Sequence, residues 1–153
     1  MAVERATTQP YVIEHRVGRL IEARVFGLRT RAEANAYSEA LSAVVAKLPR
    51  QLSPVLCADH RPVAIYPQEV ADRLVELFVT MNTRLQRVAI VVARSNATLV
   101  LQLERLVREA AFGNRRVFHA PEDAERHLSS MLDSIEAQRA RAFLAEWPPS
   151  STR

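Results

Sequence analysis

Glycine is almost missing from this chain: of 153 residues only Gly18, Gly27 and Gly113 are glycine, each standing alone. Phosphate cradles need clustered glycines so that backbone N–H groups can approach the ligand, and neither common nucleotide-binding loop can be written here. No Gly-x-Ser-x-Gly turn exists either, which removes the strained nucleophile elbow of α/β hydrolases. The single cysteine, Cys57, permits no internal disulfide and fits a reducing, cytoplasmic compartment. Lysine is equally scarce. Of 21 basic residues all but Lys47 are arginine, scattered along the chain to give a net charge of +4. No basic run is interleaved with aromatics and no nucleic-acid motif is recognisable, so the surplus reads as a solvated surface, with no nucleic acid among the expected partners. No apolar run approaches the length of a membrane span. Residues 1–9 lack the apolar core of a secretory leader and read as a disordered N-terminus.

What is present is the content of one globular domain: 48% hydrophobic residues in a chain long enough for a real core. The stretch Arg87 to His119 organises it. Val88-Ala89-Ile90-Val91-Val92 is β-branched and too short for a lone helix. After Ser95-Asn96, Leu99, Leu103, Leu106, Val107 and Ala110 recur at helical spacing, Gly113-Asn114 is positioned to stop the helix, and Arg116-Val117-Phe118-His119 reads as a second strand. Strand, helix, strand in sequence predicts a parallel crossover.

The rest follows the same grammar. Tyr11 to Phe26 alternates as an antiparallel strand pair turning at Val17-Gly18-Arg19, with Gly18 free to take a positive φ and Gly27 closing the hairpin. Thr30 and Glu33 form a capping box before a helix with Tyr37, Leu41, Val44, Val45 and Leu48 on one face, ended by Pro49. Pro54 to Ala58 is apolar on both faces, as in strands covered by helices on both sides, and makes Cys57 a buried, inert thiol. Pro67 opens a second helix through Val70, Leu74, Leu77, Phe78, Met81 and Leu85. The composite is an α/β fold: a mixed, mostly parallel sheet of about five strands, flanked by about four helices.

The final helix begins at Pro121, with Glu122 and Asp123 complementing its dipole. Its apolar pattern continues past Leu128, Met131, Leu132 and Ile135 to Ala142, Phe143 and Trp147. A single helix over that span would be about 40 Å long, so it either breaks near Ser134–Gln138 or projects. Residues 134–147 are therefore set apart as a C-terminal extension, with Phe143, Leu144 and Trp147 as an interaction helix that packs on the domain, on a partner or on a second copy in a homodimer. Residues 148–153 are read as a disordered tail.

Three segments together resemble the STAS-like superfamily, the fold of bacterial anti-sigma-factor antagonists. They are Val55-Leu56-Cys57-Ala58-Asp59-His60-Arg61, Arg87-Val88-Ala89-Ile90-Val91-Val92, and Arg116-Val117-Phe118-His119 followed by Pro121-Glu122-Asp123-Ala124. The resemblance covers roughly residues 11 to 133 and places a STAS-like domain at 10–133. It implies a mixed sheet flanked by helices, a non-enzymatic regulatory role through another protein, and a working surface in the loop after Asp59. In anti-sigma-factor antagonists a serine just after that aspartate is phosphorylated. Here the matching residue is His60, and Asp59 to Tyr66 contains no serine or threonine.

The residues themselves single out the strand ends, where open α/β sheets place ligands. Asp59, His60 and Arg61 end one strand, Arg94 and Ser95 the next, and His119 the last, giving the candidate partner- or ligand-binding set. Arg61 and Arg94 are expected to be removable at little cost to stability. His119 and His127 lie near Glu122 and Asp123 at a spacing that fits no metal motif, and no metal or cofactor is expected. Two other readings stand beside the regulatory one: a small apolar ligand or lipid held near the sheet, and an enzyme using His60 with Asp59 in a concave pocket.

Overall fold

A computed structural model describes residues 9–149. The expected disordered ends, 1–9 and 148–153, fall outside it except for Gln9, Pro148 and Pro149. The elements run β1 (Tyr11–Val17), β2 (Leu20–Val25), α1 (Arg31–Lys47), β3 (Val55–Asp59), α2 (Gln68–Met81), β4 (Arg87–Val91), α3 (Ala97–Ala110), β5 (Arg115–Phe118), α4 (Pro121–Ser129) and α5 (Ser134–Ala145). They build one five-stranded sheet in the order β1-β2-β3-β4-β5. β1 and β2 pair antiparallel and every later pair is parallel. The α/β class and the mixed sheet are as the sequence predicts, with five helices where about four were expected.

Strand order that never reverses, combined with right-handed crossovers, puts α1, α2 and α3 on the same face. There Ile21, Ala23 and Val25 of β2, Leu56 and Ala58 of β3 and Val88 and Ile90 of β4 meet the apolar stripes of the three helices in the larger core. The alternate strand residues, Leu20, Val55, Cys57, Ala89 and Val91, face the other way and pack under α4 and α5. Period-two alternation therefore assigns each strand residue to one of two cores.

Local chemistry sets the ends. Thr30 caps α1 by accepting from the Glu33 backbone N–H, and Glu33 returns a carboxylate to the Arg29 N–H. Gly18 takes φ +55° in the β1–β2 turn. α3 stops earlier than Gly113: Ala111 adopts the left-handed conformation, φ 56°, and its N–H returns to Val107 and Arg108. β5 begins at Arg115, one residue before the predicted strand.

Of the outcomes left open for the C-terminal segment, the structure has the break and the packing back on the domain. The chain breaks after Ser129, and α5 restarts at Ser134 under a capping box in which Asp133 and Glu136 exchange hydrogen bonds with each other's backbone N–H. α5 folds back across the sheet. Phe143 (4% exposed) and Leu144 (2%) are buried with Leu20, Val55 and Cys57, so 134–147 is part of the second core and not an appendage beyond the domain. The physical reason is that the sheet has two apolar faces, and α4 alone leaves β2 and β3 uncovered. Trp147 is half-buried, edge-on to Phe26 with ring centroids 5.8 Å apart.

Candidate functional site at the carboxyl ends of the strands

The parallel strands deliver Asp59, Arg94 and His119 to one end of the sheet, as the sequence predicts. His60 N–H bonds to Val91 O at 2.8 Å and Val92 N–H to Phe118 O at 2.8 Å, which carries the pairing right to the rim. What the rim exposes differs from expectation.

Asp59 and His60 are adjacent in sequence and therefore point to opposite faces. Asp59 is fully buried on the α5 side. Its Oδ2 accepts from Arg24 Nε at 2.8 Å, its Oδ1 from Arg61 Nε at 2.8 Å and from the Arg61 backbone at 3.1 Å. Burial alone would raise the carboxyl pKa, but the hydrogen bonds from Arg61 and Arg24 outweigh it and hold the group below its ordinary value. Both guanidinium groups reach past Asp59 to the end of α5: Arg24 Nη2 donates to Phe143 O at 2.7 Å and Arg61 Nη2 to Leu144 O at 2.8 Å. Cations on the last carbonyls of a helix satisfy orphan acceptors and complement its dipole. Arg61 is thus an anchor of the C-terminal helix, contrary to its expected dispensability.

His60 is 2% exposed and lies in the three-helix core, its Nδ1 2.6 Å from the Tyr66 hydroxyl. Burial holds its pKa down to about 4, which leaves a neutral imidazole at pH 7. Asp59 and His60 therefore form no acid–base pair, and His60 does not belong to the exposed surface predicted for it. The cavity beside it, among Tyr37, Leu41, Leu56, Leu77 and Arg115, measures about 10 Å³. That is room for about one water. Cys57 is buried on the opposite face, and burial pushes its thiol pKa well up.

The loop after β3 is fastened to α3. Asn96 caps α3 through Leu99 N–H while its Nδ2 donates to Ala64 O at 2.8 Å, and Gln102 exchanges two hydrogen bonds with the Tyr66 backbone at 2.8 and 3.0 Å. Val63 and Tyr66 are drawn inward, and Ile65 is left outward at 49% exposure. Arg94, Ser95 and His119 are exposed on the neighbouring strand ends. Of the predicted set, then, Arg94, Ser95 and His119 lie on the open rim, Arg61 at its base, and Asp59 and His60 beneath it.

Sequence reading missed the partners of the buried charges. Glu22, on β2, is buried and held by Arg139 of α5 at 2.6 and 3.0 Å, and Arg139 also reaches Glu146 at 3.0 Å. The alternation Ile21-Glu22-Ala23-Arg24 carries the signal that these charges share one face, but not that a helix covers it. Among the described residues no group of three or more His, Cys, Asp or Glu is gathered for a metal, and no helix is long and apolar enough to cross a membrane.

No family model matches the chain, and no curated protein matches it in sequence. Among solved structures it is similar to an anti-sigma factor antagonist from Mycobacterium paratuberculosis, with a TM-score of 0.52 and 20% sequence identity over 80% of this chain and 93% of that one. At that identity the likeness speaks to architecture, and it agrees with the order of strands and helices traced above. The chain has a STAS-like fold, that of an anti-sigma factor antagonist.

Proposed function

We propose that this chain is a non-enzymatic regulatory module that binds another protein through the strand-end rim formed by Ile65, Arg94, Ser95 and His119. The observation that carries the reading is the division at the carboxyl ends of β3, β4 and β5. The groups suited to chemistry, Asp59 and His60, are buried and engaged with their own chain, while Ile65 stands outward on a loop tied down by Asn96 and Gln102, and Arg94, Ser95 and His119 stand outward on the neighbouring strand ends. A rigid surface that mixes an apolar anchor with arginine suits protein recognition. The name of the similar structure, an antagonist of an anti-sigma factor, supports a protein as the partner. With no serine or threonine from Asp59 to Tyr66, serine or threonine phosphorylation in that loop has no acceptor. The alternative, a small apolar ligand or lipid near the sheet, has weaker support because the cavity beside His60 is only about 10 Å³.

The test is quantitative affinity purification from the native cell, comparing the wild-type chain with an Ile65→Asp, Arg94→Glu double variant of equal melting temperature. The reading predicts a protein whose capture falls at least about tenfold with the variant, since one or two anchors commonly carry most of such an interface. A set of captured proteins unchanged by both substitutions would overturn it.

A further inference from the structure

α5 is attached differently from α1, α2 and α3. Its apolar underside consists of Ala140, Phe143 and Leu144, whereas α1, α2 and α3 share a core of many buried side chains. The remainder of its hold is ionic and polar, distributed along its length. At the N-terminal end the buried Glu136 accepts the Arg19 backbone N–H at 2.8 Å, and a Cβ on Gly18 would stand 1.8 Å from the same carboxylate, so that glycine lets the hairpin turn approach. In the middle Arg139 clasps the buried Glu22. At the C-terminal end Arg24 and Arg61, fixed by Asp59, grip the carbonyls of Phe143 and Leu144, and Arg24 lies over the Phe143 ring at 4.2 Å.

Such a contact has a characteristic energetic shape. A 12-residue helix is marginal by itself, so α5 exists as a helix largely because it is docked. Three apolar side chains contribute modestly, and buried ion pairs contribute little net stability because desolvation offsets their attraction. Their geometry, by contrast, is demanding: the two arginines reach the carbonyls only in the seated position. Segments with few apolar contacts open at lower free energy than the sheet they cover.

We propose that α5 is a latched strap. It opens from the β1–β2–β3 face as one unit, apart from global unfolding, and the Asp59–Arg24–Arg61 cluster is its catch. Arg61 also begins the loop that carries Ile65, so seating of the strap and the shape of the rim share one side chain. The inference rests on the α5 contacts and stands apart from the partner-binding reading.

Native-state hydrogen exchange on the full chain at pH 7, across a series of low urea concentrations, tests it. In the wild type, amides of α5 should exchange at least about tenfold faster than those of β3 and β4, with a smaller urea dependence, as sub-global opening requires. Arg61→Ala should accelerate α5 by a further tenfold or so at an unchanged, small urea dependence, with β3 and β4 accelerated by no more than the same factor because global unfolding also releases α5, and Glu146→Gln, at an exposed position that Arg139 also contacts, should accelerate α5 more weakly. Should α5 exchange with the same rate and urea slope as β3 and β4 in the wild type, or should Arg61→Ala leave α5 exchange unchanged, the strap with this catch does not exist.

Discussion

Asp59 and His60 show how much a single residue step decides in a buried strand. One side chain enters an ionic cluster and the other an apolar core, and each titrates accordingly. Well above pH 6.5 His60 is neutral whether the chain is folded or not. As pH falls from 6.5 toward about 4, the unfolded chain takes up a proton that the folded chain refuses, so stability declines, by roughly 3 kcal/mol in all. Asp59 acts in a lower window. Its folded pKa lies below the ordinary 3.8, so its contribution is intact above that value and is lost as pH falls through the folded pKa. Urea unfolding at pH 7, 5 and 4 should show the first decline in the wild type and a much flatter profile in His60→Gln. Partly buried His127 supplies a residual slope of the same sign, because its burial and Arg87 also lower its pKa. Equal slopes in the two proteins would contradict this account of His60. The sequence predicts helices on both sides of this strand, but it does not extend that cover to its end, where Asp59-His60-Arg61 reads as one polar constellation. Alternation says that neighbours diverge, but only the second helical layer says that both directions are inward.

At the scale of elements, the strands and the first three helices were legible because their signals are local. Thr30 and Glu33, Pro49, Pro67 and the leucine spacing of α3 each act within a turn or two. The end of α3 was less so: Gly113 is the better left-handed residue by propensity, yet the stop falls on Ala111, where the helix has spent its apolar stripe after Ala110. For α5 the local signal existed. Asp133-Ser134-Ile135-Glu136 matches the capping-box pattern and marks the break between α4 and α5. The destination of α5 was not local, since Glu22, Arg24 and Asp59 lie more than 70 residues upstream of it. The structure therefore predicts what removing residues 134–153 does. Deletion should uncover Leu20, Val55 and Cys57, leave Glu22 without Arg139, and leave Arg24 and Arg61 without the carbonyls of Phe143 and Leu144. A lower melting temperature and increased binding of an apolar dye should follow, and a truncated chain as stable as the full one would show that α5 adds nothing to the fold.

At the scale of the molecule, the sheet is a partition between two unequal cores. The larger one holds α1, α2 and α3 and makes the scaffold rigid, and the smaller one is closed by α4 and by α5. The rim where β3, β4 and β5 end is the surface both layers leave open, and it is where function is proposed to reside. Its location was readable from strand order alone, since parallel strands gather their carboxyl ends. Which residues it presents was not, because exposure at a rim depends on how the loop after β3 folds over it. The central claim is that Ile65, Arg94, Ser95 and His119 touch a protein partner. Photo-crosslinking in the native cell tests this most directly, with a photoreactive residue placed at 65 or 95 and, as a control, at Val79, an exposed apolar position on α2. The account predicts one shared crosslinked protein from 65 and 95 and none from 79. Crosslinks that arise equally from all three positions, or from 79 alone, would contradict it.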